Sequence, residues 1–424
     1  MKAAGVIVEF NPLHNGHIQH LNETRRITGR EHIIAVMSGN FVQRGEPAIC
    51  DKWRRTKMAL LAGVDIVIEL PVGYVISGAD YFARGAVKLL AATGVVDRLC
   101  FGSESGDLAL IEEAGRVLAL EPDEYKAVLH RELQKGQSFA AARGAALESV
   151  LKAAVGDVPA GLLTKPNNGL GMEYCKALWL TGRPMEVFTS YRAAGGPSAT
   201  AIRKMIRDAA RQMQHCVGAD GNPPEHVRDD CHRPLRCSFP AYKKATAGML
   251  PQYVLEIIHE AFNANELAQL DDFSDIFRYL LFAKEVHMGE GLENRFRRFA
   301  RERSSLTELL DTVKTKRYTY THLQRAALGV ILGMRSADLA PYENAGGPAY
   351  IRVLGFRRDA AGLLGEMTRR AGLPVITTGE AMDKLEGPAA AMLAKEFEAG
   401  DIYRLAFGGA AGYRHERGMP MVVV

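Results

Sequence analysis

The chain is 424 residues long, more than one ordinary hydrophobic core accommodates, so two or three domains are expected. Its 47% hydrophobic and 24% charged residues suit a globular protein, and no apolar run reaches the roughly 18 residues of a membrane span. A net charge of +4 excludes a global basic field, and six scattered cysteines exclude a small disulfide scaffold. A cytoplasmic protein is expected, because after Met1-Lys2 the chain enters an apolar run with no charged leader.

Ala3 to Val8 is short, apolar and β-rich, so it predicts a buried strand. Asn11-Pro12 marks a turn, and Ile18, Leu21 and Ile27 follow at close to helical spacing. His32 to Met37 predicts a second strand, Trp53 to Leu61 a helix, and Val64 to Leu70 a third strand closed by Pro71. A helix over about 79–92 leads to a fourth strand, Val96 to Gly102. This alternation predicts a Rossmann-like, doubly wound α/β domain with a parallel sheet over residues 1–207. The pattern over about 107–153 is helical. Pro166-Asn167-Asn168-Gly169 breaks it, a helix resumes at Gly171, and Glu186-Val187-Phe188 is expected as the last strand of the sheet. Residues 208–240 turn polar and irregular, as an insertion or linker does. Residues 241–340 read as mostly helical, and 341–424 as a small α/β C-terminal unit.

Ligands of such sheets bind beyond the carboxyl ends of the strands, where His14, Gly39 and Gly102 fall. His14 and His17 flank a glycine where the first strand turns into a helix. A helix N-terminus presents unpaired N–H groups and a positive dipole end, which favour phosphate. Ser198, Thr200 and Arg203 open another helix with two hydroxyls and a guanidinium, the donors that grip phosphate oxygens. Together the two segments form an adenylyl-transfer site that works by positioning and charge stabilisation, with no protein nucleophile. A magnesium ion is expected to bridge phosphate oxygens with few dedicated protein ligands. No protein metal site is expected: His215, Cys216, Cys231, His232 and Cys237 lack a C-x-x-C pair.

The ordered set GVIVEFNPLHNGH, MSGNFVQRGEPAICDKWRR, PNNGLGMEYCKAL, SATAIRK, EGLENR and KTKRYTYTHLQR resembles the bacterial tRNA(Met) cytidine acetate ligases. These are a branch of the nucleotidylyltransferase superfamily, and the resemblance covers nearly the whole length. It implies that acetate and ATP give acetyl-adenylate and pyrophosphate. The acetyl group then passes to the wobble cytidine of elongator tRNA(Met), making 4-acetylcytidine. It implies an ATP loop of Ile7, Val8, Glu9, Phe10, Asn11, Pro12, Leu13, His14, Asn15, Gly16, His17, Ile18, Gln19 and His20. Gly102, Asn167, Asn168, Arg192, Ser198 and Thr200 are implied as further ATP contacts, with His14, His17 and Arg203 as the catalytic set. A tRNA partner calls for a basic surface, and Arg295, Arg298, Lys314, Lys316, Arg317 and Arg325, interleaved with Tyr318 and Tyr320, are expected to supply it. The rival readings are an adenylyltransferase for a small phosphorylated metabolite and a non-catalytic RNA-binding protein on a degenerate nucleotide fold. The long C-terminal half speaks against the first, and intact His14, His17 and Arg203 against the second. Oligomeric state is left open.

Overall fold

Alternating side chains of the first strands face two separate apolar layers, and this two-sided demand builds the molecule. In β2 (His32–Ser38), Ile33, Ala35 and Met37 enter one core while Ile34 and Val36 enter the other. A computed structural model describes residues 1–156, 158–159, 162–192, 198–216, 243–244, 246–289, 291–315, 317–407 and 415–424. β1 (Ala3–Val8) lies between β2 and β6 (Val96–Ser103), parallel to both. β5 (Ile66–Leu70) continues beyond β2, and β7 (Glu186–Tyr191) beyond β6, again in parallel. The expected Rossmann-like α/β sheet is present. A two-stranded hairpin, β3 (Phe41–Val42) with β4 (Glu46–Pro47), follows β2.

The C-terminal α/β elements join the same sheet. β8 (Ile351–Phe356) pairs antiparallel with β5, and β9 (Val375–Ile376) and β10 (Val422–Val423) pair with β8. A buried ionic cluster fastens this junction. Lys52, at the start of the helix Lys52–Leu61, reaches Glu69 of β5, Glu396 and Glu416, while Arg352 of β8 pairs with Glu69 at 2.8 Å and Glu416 at 3.2 Å. Every member is at most 5% exposed, so each charge depends on its partners for the solvation water would have given.

The predicted break at Pro166 is a helix start: the helix runs Pro166–Leu180 with proline in its first turn, where its missing N–H costs nothing. The helical region includes Gln252–Asn263, Ser274–Ala283, Leu292–Phe299, Leu306–Val313 and Tyr320–Ile331. Val254, Ile257 and Ile258 of the first of these pack into the core of Ile33, Met37 and Trp53, so this helix covers one face of the sheet. No helix among the described residues is long and apolar enough to cross a membrane. Lys316, Cys231, His232 and Cys237 lie outside the described residues, as do the side chains of His215 and Cys216.

Candidate nucleotide site

Val8 ends β1, and the chain turns through Glu9–Leu13 into α1 (Asn15–Thr28). Phe10 sits at φ +47, a left-handed conformation that costs an ordinary residue about 1–2 kcal/mol. His14 caps α1: its Nδ1 accepts the Gly16 N–H at 3.1 Å, and His17 Nδ1 accepts the His14 N–H at 3.2 Å. Gly16 has to be small here, because a Cβ would come within 2.9 Å of the His14 ring. The two imidazoles stack with centroids 3.8 Å apart, and Phe10 meets His17 edge-on. With both Nδ1 atoms accepting, the neutral rings carry their protons on Nε2.

Electrostatics keep them neutral. Burial, reinforced by the Arg192 guanidinium, lowers His14 to about 4 and His20 to about 4. His17 is pushed well below its ordinary value by burial, then by His14, Arg192 and His20. Arg192 itself is exposed, and its side chain has no ion pair among the described residues. His20 Nδ1 lies 2.7 Å from Ser190 Oγ of β7.

Arg203 comes to the same loop. It is 5% exposed, donates from Nη1 to the Asn11 carbonyl at 2.7 Å, and pairs through Nη2 with Glu46 of the hairpin. Three buried N–H donors around the loop have no acceptor among the described residues: Asn11 Nδ2, His14 Nε2 and Arg203 Nε. An unmet buried donor costs about 1–3 kcal/mol, and three around one loop suit an acceptor-rich anion. A triphosphate fits that demand. Gly102 adds room: a Cβ there would touch only Ser190, at 3.8 Å or beyond, so packing within the chain does not require glycine at this position.

Other expected contacts take different places. Asn168 is fully buried and spent internally, its Oδ1 accepting the Glu104 and Ser105 N–H groups at 2.9 and 3.2 Å and its Nδ2 donating to Leu162 O. The Asn167 side chain donates to the Glu104 carboxylate at 2.7 Å. Both asparagines therefore hold the turn after Gly102. Ser198 Oγ accepts the Ala201 N–H at 3.2 Å as an N-cap, and Thr200 Oγ lies 3.4 Å from Arg203. Asn15, Ile18 and Gln19 line an open groove of about 430 Å³ with Asn22, Glu23 and Arg26, on the side of α1 turned from His17 and His20. Ile7, Val8, Pro12 and Leu13 are part of the strand end and the loop.

The expected basic surface is divided. Arg298, Lys314 and Arg317 are exposed, whereas Arg295 is half-buried and donates to Val313 O at 2.8 Å. Arg325 turns inward toward the hairpin, Nη1 at 3.5 Å from Gln43 O, and burial lowers its pKa. Among the described residues no group of three His, Cys, Asp or Glu side chains is arranged to hold a metal.

Two further residues that matter here lie within the MSGNFVQRGEPAICDKWRR stretch but outside the expected site set. Arg55, with no exposed surface, donates to the carbonyls of Glu9, Ser38, Gly39 and Cys50, pinning the ends of β1 and β2 together. Its spacing with Met58 and Ala59 on one helical face is a sequence hint of that burial. Glu46, which holds Arg203, is the other.

The HIGH Nucleotidyl Transferase family model matches residues 1–417. The tRNA(Met) cytidine acetate ligase of Caldanaerobacter subterraneus subsp. tengcongensis is 37% identical over 425 residues, 96% of each chain. That of Acetivibrio thermocellus is 35% identical over 384 residues, 89% of this chain and 88% of its own. A crystal structure of Thermotoga maritima TmcAL bound with alpha-thio ATP has a TM-score of 0.85 at 33% identity, with 100% of both chains covered.

Proposed function

The chain belongs to the tRNA(Met) cytidine acetate ligases among the HIGH nucleotidyl transferases, and from that premise we propose that it acetylates the wobble cytidine of elongator tRNA(Met). Acetate attacks the α-phosphorus of ATP, the bond to the bridging oxygen breaks, and pyrophosphate leaves with acetyl-adenylate formed. The cytidine N4 amine then attacks the acetyl carbon, AMP departs, and one amine proton is lost. The observation that carries this reading is the set of three unmet donors, Asn11 Nδ2, Arg203 Nε and His14 Nε2 of the neutral histidine pair, around the head of α1.

In the first step the His14 and His17 Nε2–H groups donate to the α-phosphate as charge builds there. A neutral donor fixed in place needs no reorganisation at that moment, and losing one such donor typically costs roughly 100- to 1,000-fold in rate. Arg203 and the exposed Arg192 face the rest of the phosphate chain. Gly102, backed by Ser190, gives the nucleoside its close approach. Asn167 and Asn168 act on ATP through the turn they hold. A magnesium ion would supply charge neutralisation on phosphate oxygens, needing few dedicated protein ligands. Arg298, Lys314 and Arg317, with Lys316 beside them in sequence, are the tRNA-facing cations, and the cytoplasm is the setting such a substrate requires.

The test is incubation with ATP, labelled acetate and bulk tRNA, followed by nucleoside analysis. Label in 4-acetylcytidine supports the reading. Acetate-independent consumption of ATP with no labelled nucleoside overturns it.

A further inference from the structure

Residues 41–47 form a two-stranded sheet of their own that pairs with no strand of the main sheet among the described residues, yet three parts of the molecule meet on this hairpin. At its start the Gln43 N–H donates to the Glu9 carboxylate at 2.6 Å, at the mouth of the ATP loop. At its end Glu46 pairs with Arg203. Between them Gly45, at φ +87, lies flat on the helix Tyr320–Ile331, where a Cβ would come within 2.5 Å of the Arg325 backbone nitrogen. Phe41 anchors the base against Phe273 and Tyr403.

Arg203 has five N–H donors in a fixed fork, and their use is uneven. Nη1 is taken by Asn11 O and Nη2 by Glu46, with Thr200 nearby, while Nε is buried without a partner. A guanidinium held at both Nη ends cannot swing, so its free edge keeps one direction. We propose that Glu46 is a positioning residue for ATP: it touches no substrate, and it holds Arg203 so that the guanidinium's free edge meets the phosphates. Gly45 seats the hairpin on the helix, which makes the pose of Arg203 depend on the helical region. This inference rests on the nucleotide-site reading but not on acetate or tRNA as substrates.

The experiment measures equilibrium affinity for an ATP analogue with a methylene between the α- and β-phosphorus, without acetate or tRNA. Glu46→Gln keeps the shape and an acceptor but removes the charge, and its Kd is expected to rise about tenfold, a change of about 1.4 kcal/mol. Glu46→Asp, which restores the charge on a shorter arm, is expected to recover part of that loss. Gly45→Ala, forced off the helix, is expected to weaken the analogue as well. Unchanged affinity in Glu46→Gln overturns the proposal, whether or not its melting temperature falls, because a merely structural residue gives that result. Equal weakening in Gln and Asp variants also overturns it, since charge would then not be the agent. Failure of wild type to acetylate tRNA would sink the functional reading and leave this measurement intact.

Discussion

Asn168 and Glu104 exchange hydrogen bonds in both directions: the asparagine Oδ1 takes the Glu104 N–H at 2.9 Å, and the glutamate carboxylate takes the Asn168 N–H at 3.0 Å. The turn after Gly102 is thus stapled to the helix that begins at Pro166. Asn168→Ala leaves the Glu104 and Ser105 N–H groups short of an acceptor in a buried place. The expected loss is about 2 kcal/mol in urea unfolding, with weaker ATP binding following from it. Asn167→Ala, at a half-buried position, is expected to cost well under half of that. Equal costs would remove the distinction drawn between the two residues.

Replacing His17 by alanine removes an Nε2–H donor while leaving the His14 cap in place. Acetate-dependent ATP–pyrophosphate exchange is expected to drop roughly 100-fold or more, with a modest loss of stability because the His14 N–H loses its Nδ1 acceptor. Replacing His14 removes a donor and the N-cap together, so about 1 kcal/mol of stability should go with the activity. Retention of exchange in the His17 variant would withdraw its catalytic role.

The depressed histidines also set a pH dependence. His14 and His20 bind protons near pH 4 when folded, whereas an unfolded imidazole does so near its ordinary 6.5. Between those values the unfolded chain holds more protons, so stability falls as pH drops from about 6.5 toward 4 and gains nothing from these groups above it. His20→Gln is expected to flatten that fall, as read from urea midpoints across the window. The histidines themselves should contribute no titration to ATP binding near pH 6.5, because the rings are already neutral there.

The buried cluster at the β5–β8 junction predicts an opposite trend. Glu396, pushed up to about 8 by burial and then by Glu69, stays protonated when folded over a range where the unfolded carboxyl is ionised. Its contribution is present at low pH and is lost as pH rises toward 8. Glu396→Gln should therefore hold its stability at alkaline pH better than wild type. Lys52→Met, by contrast, strands Glu69 and Glu416 and is expected to cost about 3–5 kcal/mol.

Charge reversal at Arg298 and Arg317 is expected to raise the Kd for tRNA and shrink its salt dependence while adenylate formation continues. Arg325, turned to the hairpin, should behave differently, its loss affecting ATP binding and stability first. If both steps fell together in the Arg298 and Arg317 variants, that face would be a structural one.

The strand-to-helix rhythm up to residue 103 was readable because each strand carries its own apolar signal, and the glycine between two histidines falls where a helix begins. What stayed hidden depended on partners distant in sequence. Ile351–Phe356 looks like a strand of some sheet, yet nothing in it names β5 as its neighbour or shows that it runs the other way. Nothing near Lys52 or Arg352 in sequence accounts for their burial, which the distant carboxylates of Glu69 and Glu416 make tolerable. Asn168 looked like a ligand contact because its spacing lies in a motif, while its hydrogen bonds go to the protein's own backbone. Arg325 fell in a basic run, but its helix face is set by packing against Gly45.

That ionic junction has a consequence for biosynthesis. Lys52 and Glu69, which pair with each other, emerge from the ribosome hundreds of residues before Arg352 and Glu416, so the cluster that buries them is completed only when translation is nearly over. A nucleotide-binding fragment cut at residue 207 would leave the β5 edge without β8, and Lys52 and Glu69 without Arg352, Glu396 and Glu416.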